Sequence, residues 1–274
     1  MTDGVRDIVS GGIALLAAAA LLRGLGERAT RITAREALNG GSLSATVEPR
    51  GALGLLAGRA TRVYVRGAAN SIDGVPFTAE QSTRSPGIAD RLVIDLRDVR
   101  VAGIDVRRLR ASIPRVAFDP VSALSGHVRL TGAGTGTFEA EIPLGSIAVF
   151  LQRRFASISG ASIGAEGGYI TLSADIDMMG SPVPFTARGR PVVRAGRFIE
   201  IMEPQLTLSG ASVPDILAGS MLSALTPILD LESDLHAGGW LRLQSVSNGD
   251  GTVRIGATAR LPVRGDLGRR RDGE

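Results

Sequence analysis

Along much of the chain, apolar side chains alternate with polar ones. Residues 253–261, VRIGATARL, place Val253, Ile255, Ala257, Ala259 and Leu261 on one face and Arg254, Thr258 and Arg260 on the other. That period of two is the signature of a strand with one buried face. WLRLQSV precedes it, and the intervening Asn248-Gly249-Asp250-Gly251 predicts a hairpin turn. YITLSADID alternates in the same way, with Ile170, Leu172, Ala174 and Ile176 inward, as does RLVIDL with Leu92, Ile94 and Leu96. Beyond Leu96 the phase moves to Val99 and Val101, which predicts a bulge near Arg97. Further strands are expected over 61–67, 127–131, 137–142, 183–188, 197–202 and 205–209. One-sided strands favour antiparallel sheets with one wet face.

Three segments follow the helical period instead. In GLGERATRITAREALNGG, Leu25, Ala29 and Ile32 share a face, with Arg28, Arg31, Arg35 and Glu36 elsewhere, and Asn39-Gly40-Gly41 ends the helix. In PLGSIAVFLQRRF, Leu144, Ile147, Ala148, Leu151 and Phe155 form one stripe that closes on Arg153 and Arg154. In VPDILAGSMLSALTPILDL (213–231), Leu217, Met221, Leu225 and Leu229 recur every fourth residue, yet Ile216, Leu222 and Ile228 are apolar too. Pro214 lies near the start of this third helix, and Pro227 is expected to kink its end. A helix apolar on most faces must be enclosed on most faces. The expected fold is therefore α+β, a strongly curved antiparallel sheet wrapped around a few helices. The enclosed space is either a closed core or a long aliphatic groove suited to acyl chains.

The stretch Ile8–Leu22, IVSGGIALLAAAALL, is uncharged but short of the roughly 20 apolar residues of a spanning helix. It reads, in order, as a signal peptide with Ala18-x-Ala20 as cleavage site, a short anchor, or a buried helix. Arg6, offset by Asp3 and Asp7, makes a poor n-region. The chain thus divides into an apolar segment (1–24), one folded domain (25–262) and a basic tail (263–274).

Composition narrows the chemistry. The chain has no cysteine, hence no disulfide, thiolate metal site or cysteine nucleophile. Aromatics make up 4%, and the arginines are interspersed with Asp and Glu, as in DLRDVRVAGIDVRRLR. Neither feature suits a nucleic-acid partner, which wants a basic face with interleaved aromatics. No HExxH, paired histidine or Asp-rich calcium loop occurs, so no metal or cofactor is expected. GAGTGTF (132–138) lacks the spacing of a dinucleotide loop and leads into a strand.

Gly160-Ala161-Ser162-Ile163-Gly164 matches the nucleophile elbow of serine hydrolases, and Asp215, Asp230, Asp234 and His236 follow it in a usable order. The elbow needs a strand before the serine and a helix after it. Here a helix precedes and a strand follows, so a Gly-Ser turn is the expectation and an esterase the second alternative.

Several segments are similar to the LmeA-like family of bacterial envelope proteins: GALGLLAGRATRVYVRGA (51–68), GSPVPFTARGRPVVRAGR (180–197), and LTLSGASVPDILAGSMLSALTPILDL (206–231) with the closing LRLQSVSNGDGTVRIGATARL. The resemblance implies a fold like tubular lipid-binding (TULIP) domains, phospholipid binding, and a part in building envelope glycolipids. The expected function is non-enzymatic binding of a phospholipid or other acyl lipid at a membrane surface, in the cell envelope or, alternatively, peripheral to the membrane in the cytoplasm. The expected groove comprises Leu217, Met221, Leu225, Leu229, Ile147, Leu151 and Phe155, with Arg153 and Arg154 at the headgroup. The first alternative is a structural or interaction domain with a closed core. Oligomeric state is not legible.

Overall fold

Alternation on this scale forces strands to pair, and they do so in two sheets. The computed structural model describes residues 20–260 apart from 37, 52–53, 55–56, 73–78, 81–85, 179, 215–225, 236 and 238. Helix α1 covers residues 20–36. The first sheet contains β1 (Ser42–Pro49), β2 (Arg59–Ala68), β3 (Ser71–Ile72), β4 (Gly87–Val101), β5 (Ile104–Phe118), β6 (Leu130–Gly132), β7 (Gly136–Pro143), β14 (Leu241–Gly249) and β15 (Thr252–Ala259). The second contains β8 (Ile158–Glu166), β9 (Tyr169–Met178), β10 (Ser181–Arg194), β11 (Phe198–Leu208), β12 (Ala211–Ser212) and β13 (Leu229–Asp230). Helices α2 (Pro120–Leu124) and α3 (Leu144–Arg154) complete the elements.

The first sheet runs β1-β2-β4-β5-β7-β15-β14 and is not closed; the second is a meander, β12-β11-β10-β9-β8. The α+β class holds. The sheets are mostly antiparallel, but β2 and β3 run parallel to β4, against the purely antiparallel expectation. The residues between β2 and β4 are numerous enough to return the chain in the same direction, which a tight hairpin cannot do.

Two-residue turns join most neighbours. Ala102-Gly103, Ser209-Gly210 and Asp250-Gly251 have φ of 46° and 81°, 47° and 81°, and 50° and 71°. Positive φ at both positions matches the right-handed twist of the flanking strands, and glycine takes the second place without steric cost. The last hairpin therefore turns at Asp250-Gly251, while Asn248-Gly249 stays in β14.

The β4–β5 ribbon accounts for the phase change after Leu96. Inward positions run Leu92, Ile94, Leu96 and then Val99; opposite them, Leu109 is followed by Val106. Arg97 pairs with Arg108 and Val99 with Val106, so the register between strands is unbroken. Asp98, at φ 48°, turns both strands together. The expected bulge is thus a paired kink. A second one lies at Arg115, also at φ 48°. True register shifts occur elsewhere, for instance between Arg188 and Arg190 where β10 meets β11.

The main core lies on the inner face of the first sheet, where Leu38, Leu96, Val99 and Leu231 are at most 2% exposed. Ile158, Ala174, Phe185 and Leu206 form a smaller core on the second sheet, with Phe155 packed against it. α3 links the two. It leaves β7, buries Leu144, Ala148 and Leu151, and runs into β8. Arg153 and Arg154 in its last turn complement the helix dipole.

Two helix expectations need correction. In α1 the inward residues are Leu22, Gly26, Ala29, Thr30, Thr33 and Ala34, and Leu25 faces outward. Small residues bring the helix close to the sheet, so size was a poor guide to its buried face. The third helix does not reach residue 231. Leu217, Met221 and Leu225 lie outside the described residues, and Leu229 belongs to β13, pairing with Ile199 of β11. Pro227, which cannot donate to a helical ladder, precedes that strand.

Candidate functional site

Three apolar cavities lie between these elements. The first, about 230 Å³, sits between α1, α2 and the start of the first sheet, with Leu22, Val65, Leu92, Val116 and Leu124 among its walls. The central one, about 120 Å³, is lined by Leu96, Leu109, Leu229, Leu231, Trp240 and Leu243. The indole Nε1 of Trp240 is buried there with no hydrogen-bond partner. The third, about 380 Å³, lies between α3 and the second sheet. A narrow gap of about 50 Å³ shares Ile142 and Leu229 with the central cavity and Ile147, Ile170 and Ile228 with the α3 cavity. Ligand pockets start at about 300 Å³, which only the α3 cavity reaches.

The α3 cavity collects three of the residues singled out from the sequence. Ile147, Leu151 and Phe155 form its helical wall. Ile158, Ile163, Ile170, Leu172, Ala187 and Ile201 form the sheet wall. Leu229 lies instead on the central cavity and the gap.

One charged side chain stands among the described lining residues, Arg188 of β10. It is exposed, and its guanidinium carbon sits 4.4 Å from the centroid of the Tyr169 ring. Arg190 covers the same ring at 4.6 Å. Tyr169 donates to Glu203 at 3.1 Å, and Arg190 lies 3.5 Å from the same carboxylate. Arg188 has no carboxylate partner among the described residues. Strand alternation turns it, with Tyr169, to the face of the second sheet opposite Ala187 and Ile170, where stacking holds it. Sequence reasoning missed it, because TARGRP carries no signal beyond a strand with two arginines.

The two arginines expected at a headgroup are otherwise engaged. Arg154 pairs with Asp234 and donates to the carbonyl of Ile228 at 3.2 Å. Arg153 donates to the carbonyl of Gly103. Asp234 also accepts from the backbone N–H of Asp230 at 2.7 Å. The Asp230 carboxylate is held by Arg197 through hydrogen bonds of 2.6 and 2.8 Å. That pairing, against the opposing cost of burial, lowers the Asp230 pKa to about 2.

These contacts bear on the hydrolase alternative. Gly160–Gly164 lies inside β8, not in a turn, and Ser162 is an exposed strand residue paired with Ser173. Its hydroxyl donates to the Ser173 carbonyl at 3.4 Å. Asp230 and Asp234 are both claimed by arginines, while Asp215 and His236 lie outside the described residues. The expected Gly-Ser turn is therefore a strand, whose alternation is masked by small residues. Among the described residues no group of acidic or imidazole side chains could hold a metal, and no helix is long and apolar enough to cross a membrane.

The model of the LmeA-like phospholipid-binding family matches residues 71–258, well over half of the chain and both sheets. The chain belongs to the LmeA-like phospholipid-binding family. The matched span covers β3 to β15, with the whole wall of the α3 cavity and most of the central one, and leaves α1, β1 and β2, a large part of the first cavity's wall, outside it. No curated protein and no solved structure matches the chain.

Proposed function

We propose that the protein binds a phospholipid, or a related acyl lipid, without chemical conversion, in the cavity between α3 and the second sheet. The carrying observation is the α3 cavity itself, about 380 Å³ and walled mostly by apolar side chains from the helix and the sheet. An acyl chain leaving water for the wall of Ile147, Leu151, Phe155 and Leu172 gains about 0.8 kcal/mol per CH₂ buried. The polar headgroup stays in water at the cavity mouth. Arg153 and Arg154 support the α3 wall through Gly103, Ile228 and Asp234.

Family membership supports lipid as the ligand class. By the same resemblance, we place the protein in the cell envelope, handling lipid for the assembly of envelope glycolipids. Residues 25–262 act as one unit in this reading, with the apolar run before them serving export or anchoring. Organic extraction of the purified protein followed by mass spectrometry tests the proposal. A bound phospholipid is expected; extracts free of lipid, together with no uptake of a fluorescent phospholipid, would overturn it.

A further inference from the structure

Five large apolar side chains stand in solvent at one end of the first sheet. Leu21 is 67% exposed and Leu25 36%, both on the outer face of α1; Val121 and Leu124 of α2 are 54% and 57% exposed, and Ile88 at the start of β4 is 42% exposed. The elements that carry them meet at this end. The N–H of Ile88 donates to the Gly58 carbonyl at 2.8 Å, and Gly58 sits against Gly87 and Pro120. Leu22, Gly58, Pro120 and Leu124 all border the α1 cavity. Single exposed leucines are ordinary, but a contiguous group marks an interaction site.

The sequence adds two observations at the same end. The described residues of the β1–β2 connection, Gly51, Gly54, Ala57 and Gly58, carry no charge, and Ala20, Leu21 and Leu22 open α1 without one. Arg23 stands between Leu21 and Leu25 and is paired with Glu27 at 3.0 Å, and past Leu25 further arginines follow. Arg28, Arg31 and Arg35 are exposed, and none has a carboxylate partner among the described residues. At 1.5 Å rise per residue, Arg28 and Arg31 lie about 4.5 and 9 Å beyond Leu25 along the axis. The headgroup layer of a leaflet is roughly 5–7 Å deep.

We propose that this end docks on the surface of an anionic phospholipid bilayer. Leu21, Leu25, Ile88, Val121 and Leu124 enter the acyl layer, Arg28 and Arg31 reach lipid phosphates, and Arg35 adds longer-range attraction. An apolar tip followed by a basic collar is the pattern of an interfacial helix. The α1 cavity lies directly behind Leu22 and Leu124, so a chain drawn from the bilayer meets apolar wall at once. The docking end is distinct from the α3 cavity, and the two are tested separately.

The absence of cysteine permits a clean experiment on the full chain. A single cysteine replaces Val121, or Met202 of β11 as a control that is 54% exposed on the other sheet, and carries an environment-sensitive fluorophore. Vesicles of phosphatidylcholine mixed with phosphatidylglycerol are added. A blue shift at position 121, quenched by brominated acyl chains, with no change at 202, is the expected result. Val121→Glu with Leu124→Glu, checked for native fold by circular dichroism, is expected to weaken vesicle binding by roughly tenfold or more. Arg28→Gln with Arg31→Gln and Arg35→Gln is expected to reduce the preference for phosphatidylglycerol by roughly tenfold. A probe at 121 that stays in water while the chain sediments with vesicles would assign binding to the Ile8–Leu22 run alone and overturn the proposal. A concentration-dependent shift without vesicles would assign the patch to a second copy and also overturn it. Lipid recovered from the docking-deficient protein by mass spectrometry separates failure here from failure of the lipid-binding reading.

Discussion

Arg197, just before β11, grips Asp230 of β13 through two guanidinium nitrogens, Nε and Nη2, at 2.6 and 2.8 Å. The contact ties the segment after Pro227 to the second sheet. Asp230 has a pKa of about 2 against 3.8 for the free side chain. A lowered carboxyl pKa contributes stability above the unfolded value and loses it as pH falls through the folded one. Urea melts between about pH 5 and pH 2 are therefore expected to show a loss of about 1–2 kcal/mol from this pair. The figure allows for solvent screening of Arg197, whose side chain is 44% exposed. Asp230→Asn should be less stable than wild type near neutral pH and lack this loss; an identical acid response in the mutant would remove the assignment.

Arg188→Glu reverses a charge on the outer face of the second sheet, behind the α3 cavity. Stability is expected to change by no more than about 0.5 kcal/mol. Retention of an anionic phospholipid, read by fluorescent-lipid titration, is expected to be unchanged, because the side chain stacks on Tyr169 away from the cavity. A loss of retention would place the phosphate on that outer face.

Ala187→Phe and Leu151→Ala probe the same cavity from opposite walls. The phenyl ring enters space that is already empty, so lipid capacity should fall with a stability change below about 1.5 kcal/mol. Leu151 is 4% exposed, and its truncation should cost about 2–5 kcal/mol. Thermal melts with lipid titration on both variants check the pair.

Gly189 stands at the register shift between β10 and β11. A Cβ there would collide with the Ile201 side chain and lie 2.8 Å from the Met202 carbonyl oxygen. Gly189→Ala is expected to destabilise by about 1–3 kcal/mol in chemical denaturation, and a neutral result would show that β11 can shift aside.

Ser162→Ala should leave phospholipid binding, and any trace of ester hydrolysis in the preparation, unchanged. Loss of measurable hydrolysis in this variant would reverse the non-enzymatic reading.

Strands such as β15 and β9 were legible because one face is buried and the other wet, so periodicity reports the sheet directly. β10 was legible only in part. Pro182, Pro184, Gly189 and Pro191 interrupt its pattern, and only Phe185 and Gly189 in it are buried. The helical wall of the α3 cavity, Ile147, Leu151 and Phe155, could be read from a single stripe. The sheet wall could be read only in part, since which strands α3 covers is a tertiary fact. Leu229 fitted a fourfold repeat by spacing alone, and β pairing with Ile199 overrode it. In α1, glycine, alanine and threonine face the sheet because close approach matters more there than side-chain area.

The strand order of the first sheet also fixes a sequence of events in time. β7, formed by residues 136–143, is flanked on one side by β15, which spans residues 252–259. During synthesis more than a hundred residues emerge before that partner exists. Until then the edge of β7 is bare, and Leu241, Leu243, Val253 and Ile255 are missing from the core. An open strand edge beside uncovered apolar surface invites wrong pairing. The chain therefore completes its larger sheet only when its last hairpin arrives, and a product truncated before that hairpin is exposed to aggregation or proteolysis.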